Sequence, residues 1–434
     1  MILVSPDMRP SVMGVARSLT QSGLLQRFVT TVAVGNDSDP VVFSYLPDRL
    51  RTKLQSQFKR REVPAFLNVP VETYPTHELI NLASRRVGLS DMSTHYFWEW
   101  AERAFDRKVA TEWAGRAPCL YGCEHASVET FKRQKEAGGL NVLWQVIAHH
   151  HAVFTLLHEE YEAFPEAMTP YIHRMFRDAI RINERKEEQY CAADLIVTNS
   201  AFSRQTFIDA GFPAEKVEAI PTGCPPVSSN FPEPSERSNG KMIFLSAGTQ
   251  SVRKGTSYLL DAWRRLSPGM NAELRLVGKM ELPERLLKNL PANVVIQPSV
   301  TRRELDQILL RASVLVLPTL AEGLAYIILE AMAAGLAIIT TDNSGCGDLV
   351  EDGINGWKLA IRDAAALADR VTWCLDEPRQ VQEMQYRSWR KAAAWQEEDF
   401  ALAHAALIRS FLVERGILPN AEEFGRVVPR CVAL

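Results

Sequence analysis

Apolar positions in the second half of the chain alternate between two patterns. Unbroken runs at 241–248 (KMIFLSAG), 274–278 (LRLVG), 293–297 (NVVIQ), 313–319 (SVLVLPT) and 336–341 (LAIITT) have the length of strands buried on both faces. Between them apolar residues fall three and four apart: Tyr258, Leu259, Ala262, Trp263 and Leu266 share one face of a helix predicted over 256–266. Thr301, with Glu304 three residues on, is a capping-box pattern at the head of 301–312, and 323–334 reads as a helix stopped by Gly335. Strand and helix in regular succession predict an α/β doubly wound parallel sheet. The first half repeats the pattern less cleanly, with strands expected at 2–5, 28–34, 117–121, 141–148, 194–200 and 217–221. The stretch 224–240 is rich in Pro and Ser, lacks a hydrophobic period and reads as a linker. The expected division is a Rossmann-like domain over 1–225, a second over 226–390, and a helical tail over 391–434 that packs back on the first. Two such sheets face one ligand across a cleft at their strand C-terminal ends.

Composition removes several classes of function. A chain of 434 residues exceeds one ordinary core. With 46% apolar and 23% charged residues and a net charge of −3, nothing points to nucleic acid. The opening MILVSPDMRP has too few apolar residues before Pro6 for a secretion signal, and the long apolar stretch near 323–341 is broken by Glu330 and Gly335. Seven cysteines form no framework, and Cys119 and Cys123 lack the second pair a zinc site needs. The expectation is a reduced, soluble, cytoplasmic protein. One segment changes that picture: 49–61 (RLRTKLQSQFKRR) holds Arg49, Arg51, Lys53, Lys59, Arg60 and Arg61 with no acid. Leu50, Leu54 and Phe58 recur at helical spacing, so it reads as a surface helix or as a patch resting on anionic lipid at the inner membrane face.

Candidate chemistry gathers at one sheet edge. Glu322 and Glu330 stand eight positions apart, roughly 12 Å and 80° on a helix. They are too distant to share a proton or a metal ion and suit the two ends of an elongated ligand. Between them the N–H groups of Gly323, Leu324 and Ala325 at a helix start offer an anion site. The loop GTQSVRKG (248–255) aims Arg253 and Lys254 at the same edge, where they would neutralise charge growing on a departing diphosphate. The run His149–His150–His151 follows the strand expected at 141–148. His150 is the candidate for a sugar-hydroxyl or phosphate contact, while His149 and His151 share a face if the strand continues. DSD (37–39) beside Pro40 reads as a turn, and GCGDLV (345–350) has Val where a dinucleotide fingerprint needs its third Gly.

The segment EGLAYIILEAMAAGLAIITTDNSGCGDLVEDGINGW resembles the signature of family 4 retaining glycosyltransferases, as do the Lys254 loop, 121–138 and 184–223. That resemblance implies the GT-B architecture and sugar transfer, with retention, from a nucleotide diphosphate sugar to an acceptor hydroxyl. It implies Glu322 against the transferred sugar, Glu330 on the ribose hydroxyls and Lys254 on the phosphates. The acceptor would be a glycan, a glycolipid or a small molecule. No cofactor is expected beyond the nucleotide sugar co-substrate, and no metal. Two positions depart from the family pattern. Thr249 follows Gly248 where members carry Arg, which leaves either Arg253 in that role or one cation fewer. The N-terminal loop SPDMRPSVMG has Gly14 as its only glycine on the acceptor side of the cleft. A phosphorylase or epimerase of the same architecture and a non-catalytic nucleotide-sugar binder are the competing readings.

Overall fold

The computed structural model describes residues 1–35, 61–86, 91–231, 241–266 and 271–419. DSD and 49–60 lie outside the described residues. The first sheet comprises β1 (Ile2–Val4), β2 (Arg27–Thr30), β3 (Val71–Thr73), β4 (Cys119–Cys123), β5 (Leu140–Gln145), β6 (Leu195–Thr198) and β7 (Val217–Ala219). Its order is β3-β2-β1-β4-β5-β6-β7, with every pairing parallel. The second comprises β8 (Met242–Ala247), β9 (Ala272–Val277), β10 (Val294–Gln297), β11 (Val314–Leu317), β12 (Ala337–Thr341) and β13 (Gly356–Leu359). It is likewise parallel, in the order β10-β9-β8-β11-β12-β13. In each sheet the direction of winding reverses beside the first strand, which opens a crevice between β1 and β4 and another between β8 and β11.

Period-two alternation sorts the strand residues onto opposite faces. Leu3, Phe28 and Tyr121 enter one core with Trp144 and Phe400, whereas Ile2, Val4, Val29 and Leu120 meet Phe105 and Val109 on the other side. In the second sheet Phe244, Leu274 and Val314 pack on Leu259 and Trp263, and Leu245, Leu315 and Ile338 on Ile328 and Met332.

The chain crosses between the halves twice, and the crossings touch. Cys224 N–H donates to the Trp395 carbonyl at 2.9 Å, and Trp395 Nε1 to the Pro221 carbonyl at 3.1 Å. Past that point the helix Glu397–Glu414 lies along the helix Pro10–Gln21 and places Phe400, Ile408 and Phe411 in the first sheet's core. Ser18 donates to the Ala401 carbonyl (2.8 Å) and touches His404 Nδ1 (2.9 Å), while Tyr121 O–H meets His404 Nε2 (2.7 Å). Ser18 has one proton and spends it on Ala401, so His404 donates through Nδ1 and accepts from Tyr121. No helix among the described residues is long and apolar enough to cross a membrane.

Candidate active site

The turns that follow β8 and β11 meet at the second crevice. Lys254 Nζ lies 2.5 Å from Glu322 Oε1, and Arg253 bonds the same oxygen as well as the Ala321 carbonyl at 2.9 Å. Leu320 N–H closes on the Arg253 carbonyl at 2.9 Å, which ties the two turns together. Burial lowers the Lys254 pKa, and Glu322 works against that shift. Two cations share one carboxylate, so the cluster carries a net positive charge at the mouth of the crevice.

Glu322 is not on a helix. The helix runs over Tyr326–Ala333, so the expected start at 323 and the helical spacing from Glu322 to Glu330 are corrected. The cause is hydrogen bonding to the turn after β12: Glu322 N–H donates to the Asn343 carbonyl (3.0 Å) and Ala325 N–H to the Ser344 carbonyl (2.9 Å). Ala325 therefore caps the helix with its own N–H already spent, and the anion site loses that donor. Gly323 and Leu324 precede it in the loop. A Cβ on Gly323 would stand 1.9 Å from the Val146 carbonyl oxygen, and Gly323's own carbonyl accepts from Ser200 Oγ at 2.5 Å. This is one of the places where the two halves touch. Gly345, in the left-handed region at φ +76, allows a similarly close approach to the Gly323 carbonyl. Thr249 is half-buried beside Gly248, which adopts φ +120.

Glu330 is buried inside the helix and paired with Arg302. Burial raises its pKa, with Arg302 opposing. Arg302 itself is 56% exposed and also holds Asp306 at 2.9 Å, so a ligand hydroxyl has to displace a surface cation to reach Glu330. Arg302 was not singled out in the sequence. It lies 28 positions from Glu330, beyond any local pattern.

On the first domain's side, β5 ends at Gln145 and a helix begins at His150, so the strand geometry expected for the histidine run is corrected. His149, not His151, shares a site with His150: His149 Nε2 and His150 Nε2 lie 3.0 and 2.7 Å from Glu187 Oε1, and His151 is exposed. His149 caps the helix by accepting the His151 N–H at Nδ1, which puts its ring proton on Nε2. The nitrogen facing Glu187 is then a donor, and the trio in this arrangement fits a shared carboxylate better than a metal ion. Burial lowers both pKa values to about 4, with like-charged neighbours adding to the shift, so both rings are neutral at pH 7. Gly14 stands in the second turn of Pro10–Gln21, where an added Cβ would lie 3.1 Å from the Phe400 ring, a packing position in place of the expected cleft loop.

Three further groups escaped the sequence reading. Glu124 and Lys186 pair at 3.0 Å just beyond β4, and His125 beside them adopts φ +68, a backbone state uncommon outside glycine. Burial opposes the Glu124 charge, yet Lys186 and His125 hold its pKa down to about 2. Burial and Lys186 lower that of His125 to about 4. The signal available was the position of Glu124 and His125 directly after β4 at the crevice; Lys186, inside the helix Pro170–Ala192, gave none. Arg61, the one described residue of the basic segment, faces inward to Glu78 (2.6 Å) and Thr31 (3.0 Å).

Comparison with known proteins fits this geometry. Residues 239–377 match the family model described as Glycosyl transferases group 1. The chain is 27% identical over 212 residues to the MMP alpha-(1->4)-mannosyltransferase of Mycolicibacterium hassiacum, covering 47% of this chain and 51% of that protein. It is 28% identical over 188 residues to the amylovoran biosynthesis glycosyltransferase AmsK of Erwinia amylovora, covering 40% and 46%. The chain thus spans about half the length of the curated relatives it matches. Among solved structures, Anabaena Alr3699/HepE in complex with UDP superposes with a TM-score of 0.59 at 17% identity, over 94% of this chain and 99% of that one. The fold is GT-B, and residues 239–377 are similar to the group 1 glycosyl transferases.

Proposed function

We propose that the protein transfers a glycosyl residue from a nucleoside diphosphate sugar to an acceptor hydroxyl, with retention at the anomeric carbon and without a metal ion. The observation that carries this reading is the Arg253–Glu322–Lys254 cluster at the crevice between β8 and β11. An incoming diphosphate competes with Glu322 for the two cations, which frees the carboxylate to face the sugar. As the bond from the anomeric carbon to the diphosphate breaks, Lys254 and Arg253 take up the charge of the leaving oxygen, and Glu322 stabilises the positive charge on the ring. With retention, the acceptor oxygen approaches on the face the diphosphate leaves. The departing phosphate oxygen is then the nearest base for the acceptor proton. Glu330, once released by Arg302, accepts ribose hydroxyls.

The relatives named for mannosyl transfer and for amylovoran biosynthesis support sugar transfer, and the UDP held by the structural neighbour supports a nucleotide donor. The acceptor in this reading is a glycan or lipid-linked sugar, and the place of work is the cytoplasm or its membrane face. The test is release of nucleoside diphosphate from a panel of nucleotide sugars by the purified chain, with and without EDTA. No release from any donor refutes the reading, and release abolished by EDTA and restored by Mn²⁺ refutes its metal-free form.

A further inference from the structure

A cavity of about 390 Å³ lies between the two halves, walled by the helices His150–Ala163 and Pro170–Ala192. Val153, Phe154 and Leu157 on the first helix face Ile172, Phe176 and Ile182 on the second. Spacings of three and four on the first helix, and of four from Ile172 to Phe176 on the second, give each an apolar stripe; the stripes meet edge to face at Phe154 and Phe176, whose ring centroids are 5.3 Å apart, and enclose space beside that contact. Among the described residues none of these six side chains belongs to a packed core. Met175 continues the stripe to the surface at 43% exposure.

Polar groups also line the cavity, and one of them belongs to the candidate active site. Arg253, which bonds Glu322, lines it together with His150 and Lys186. His150 donates from Nε2 to Glu187, which leaves a lone pair on Nδ1, and that buried atom has no partner among the described residues. The first wall is fixed to the second domain as well: the buried Glu160 accepts from Tyr258 O–H at 3.0 Å and pairs with Arg362.

We propose that this cavity takes the apolar part of an amphipathic acceptor, an alkyl or aryl aglycone whose hydroxyl end lies at His150 Nδ1 and Arg253. The inference rests on the transferase reading above. Its size falls in the usual range for ligand sites. The donor does not suit these walls, because a sugar or a diphosphate buried against Phe154, Leu157 and Phe176 leaves its oxygens unpaired.

The test is calorimetric binding of n-alkyl β-glucosides from methyl to octyl, below their micelle concentrations, and of phenyl and naphthyl β-glucosides, to the full chain. Affinity rises about two- to fourfold per methylene until the cavity is filled. A larger gain for alkyl chains assigns a lipid aglycone, and a larger gain for aryl groups an aromatic one. Ala179→Trp, which fills the cavity, weakens octyl glucoside at least tenfold and leaves the affinity for UDP unchanged. Leu157→Gln reduces the gain per methylene and serves where the larger substitution misfolds. A flat series in the unmodified protein, or octyl binding indifferent to both substitutions, overturns the proposal. Absent UDP binding and absent donor hydrolysis refute the transferase reading separately, since the glucoside series needs neither.

Discussion

Gly323→Ala tests whether the contact between the halves positions the reacting groups. The added methyl meets the Val146 carbonyl oxygen at 1.9 Å, its carbon at 2.6 Å and Ile147 Cα at 2.8 Å, all of them backbone. No side-chain rotation relieves that overlap. Bringing the 1.9 Å contact out to 3.0 Å, the shortest separation real Cβ atoms adopt, opens the two loops by about 1.1 Å. Glu322 is the adjacent residue, and a 1 Å misplacement of a catalytic constellation costs on the order of a hundredfold in rate. The expected kcat, with whichever donor supports turnover, is therefore about a hundredfold below that of the unmodified protein. UDP affinity stays within about threefold, because Lys254 moves with its own domain. Gly347→Ala is the control: its Cβ reaches only Asp342 Oδ1 at 3.4 Å, an ordinary contact, and turnover is retained. An unchanged kcat in Gly323→Ala, or equal losses in both variants, refutes the reasoning.

Glu322→Gln keeps the size of the side chain and removes the charge. Turnover falls by at least tenfold while donor affinity by calorimetry stays within about tenfold, and an unaltered rate would reduce Glu322 to a partner of Lys254. Lys254→Ala weakens UDP roughly ten- to a hundredfold, the value of a charge-assisted hydrogen bond, and equal affinity in both proteins would place the phosphates elsewhere. Chiefly through burial, the pKa values of His125, His149 and His150 fall from 6.5 to about 4 and that of His404 to about 3. The unfolded chain therefore takes up protons first, and stability is full above about pH 6.5 and declines as pH drops toward 4. Urea midpoints at pH 7, 5.5 and 4.5 follow this decline. His404→Gln makes it shallower, and a pH-independent midpoint would contradict the buried neutral histidines.

Most of the sheet architecture was legible because strands buried on both faces are written as continuous apolar runs. The strands β3 and β13 were not, since VET and GWKL at the sheet edges form no continuous apolar run. Glu322, Arg253 and Lys254 could be read as neighbours because both turns follow strands of one sheet. The details of the site were set by contacts that local sequence does not encode. The apolar pattern from Gly323 onward suits a helix, and the carbonyls of Asn343 and Ser344, with the Ser200 hydroxyl on the Gly323 carbonyl, hold the chain out of one until Tyr326. The histidine run shows the same limit. Glu187, 37 positions from His150, selects which two rings act together. Arg302 on Glu330 and Lys186 on Glu124 are likewise pairings made by the fold.

The return of Glu397–Glu414 to the first sheet has a consequence for recombination. Removal of Phe400, Ile408 and Phe411 strips one face of the first core and leaves Tyr121 without its His404 acceptor, so a fragment ending at the linker is an incomplete domain. The unit that can be exchanged between relatives is an insert, bounded by both crossings where Cys224 meets Trp395. At that junction a Cβ on Gly223 would stand 2.2 Å from the Gln396 carbonyl oxygen, so a foreign insert must preserve glycine there. A chimera cut at both points carries a new second domain on an intact first domain. One cut only at the linker also replaces the last helix, and with it part of the core it was meant to keep.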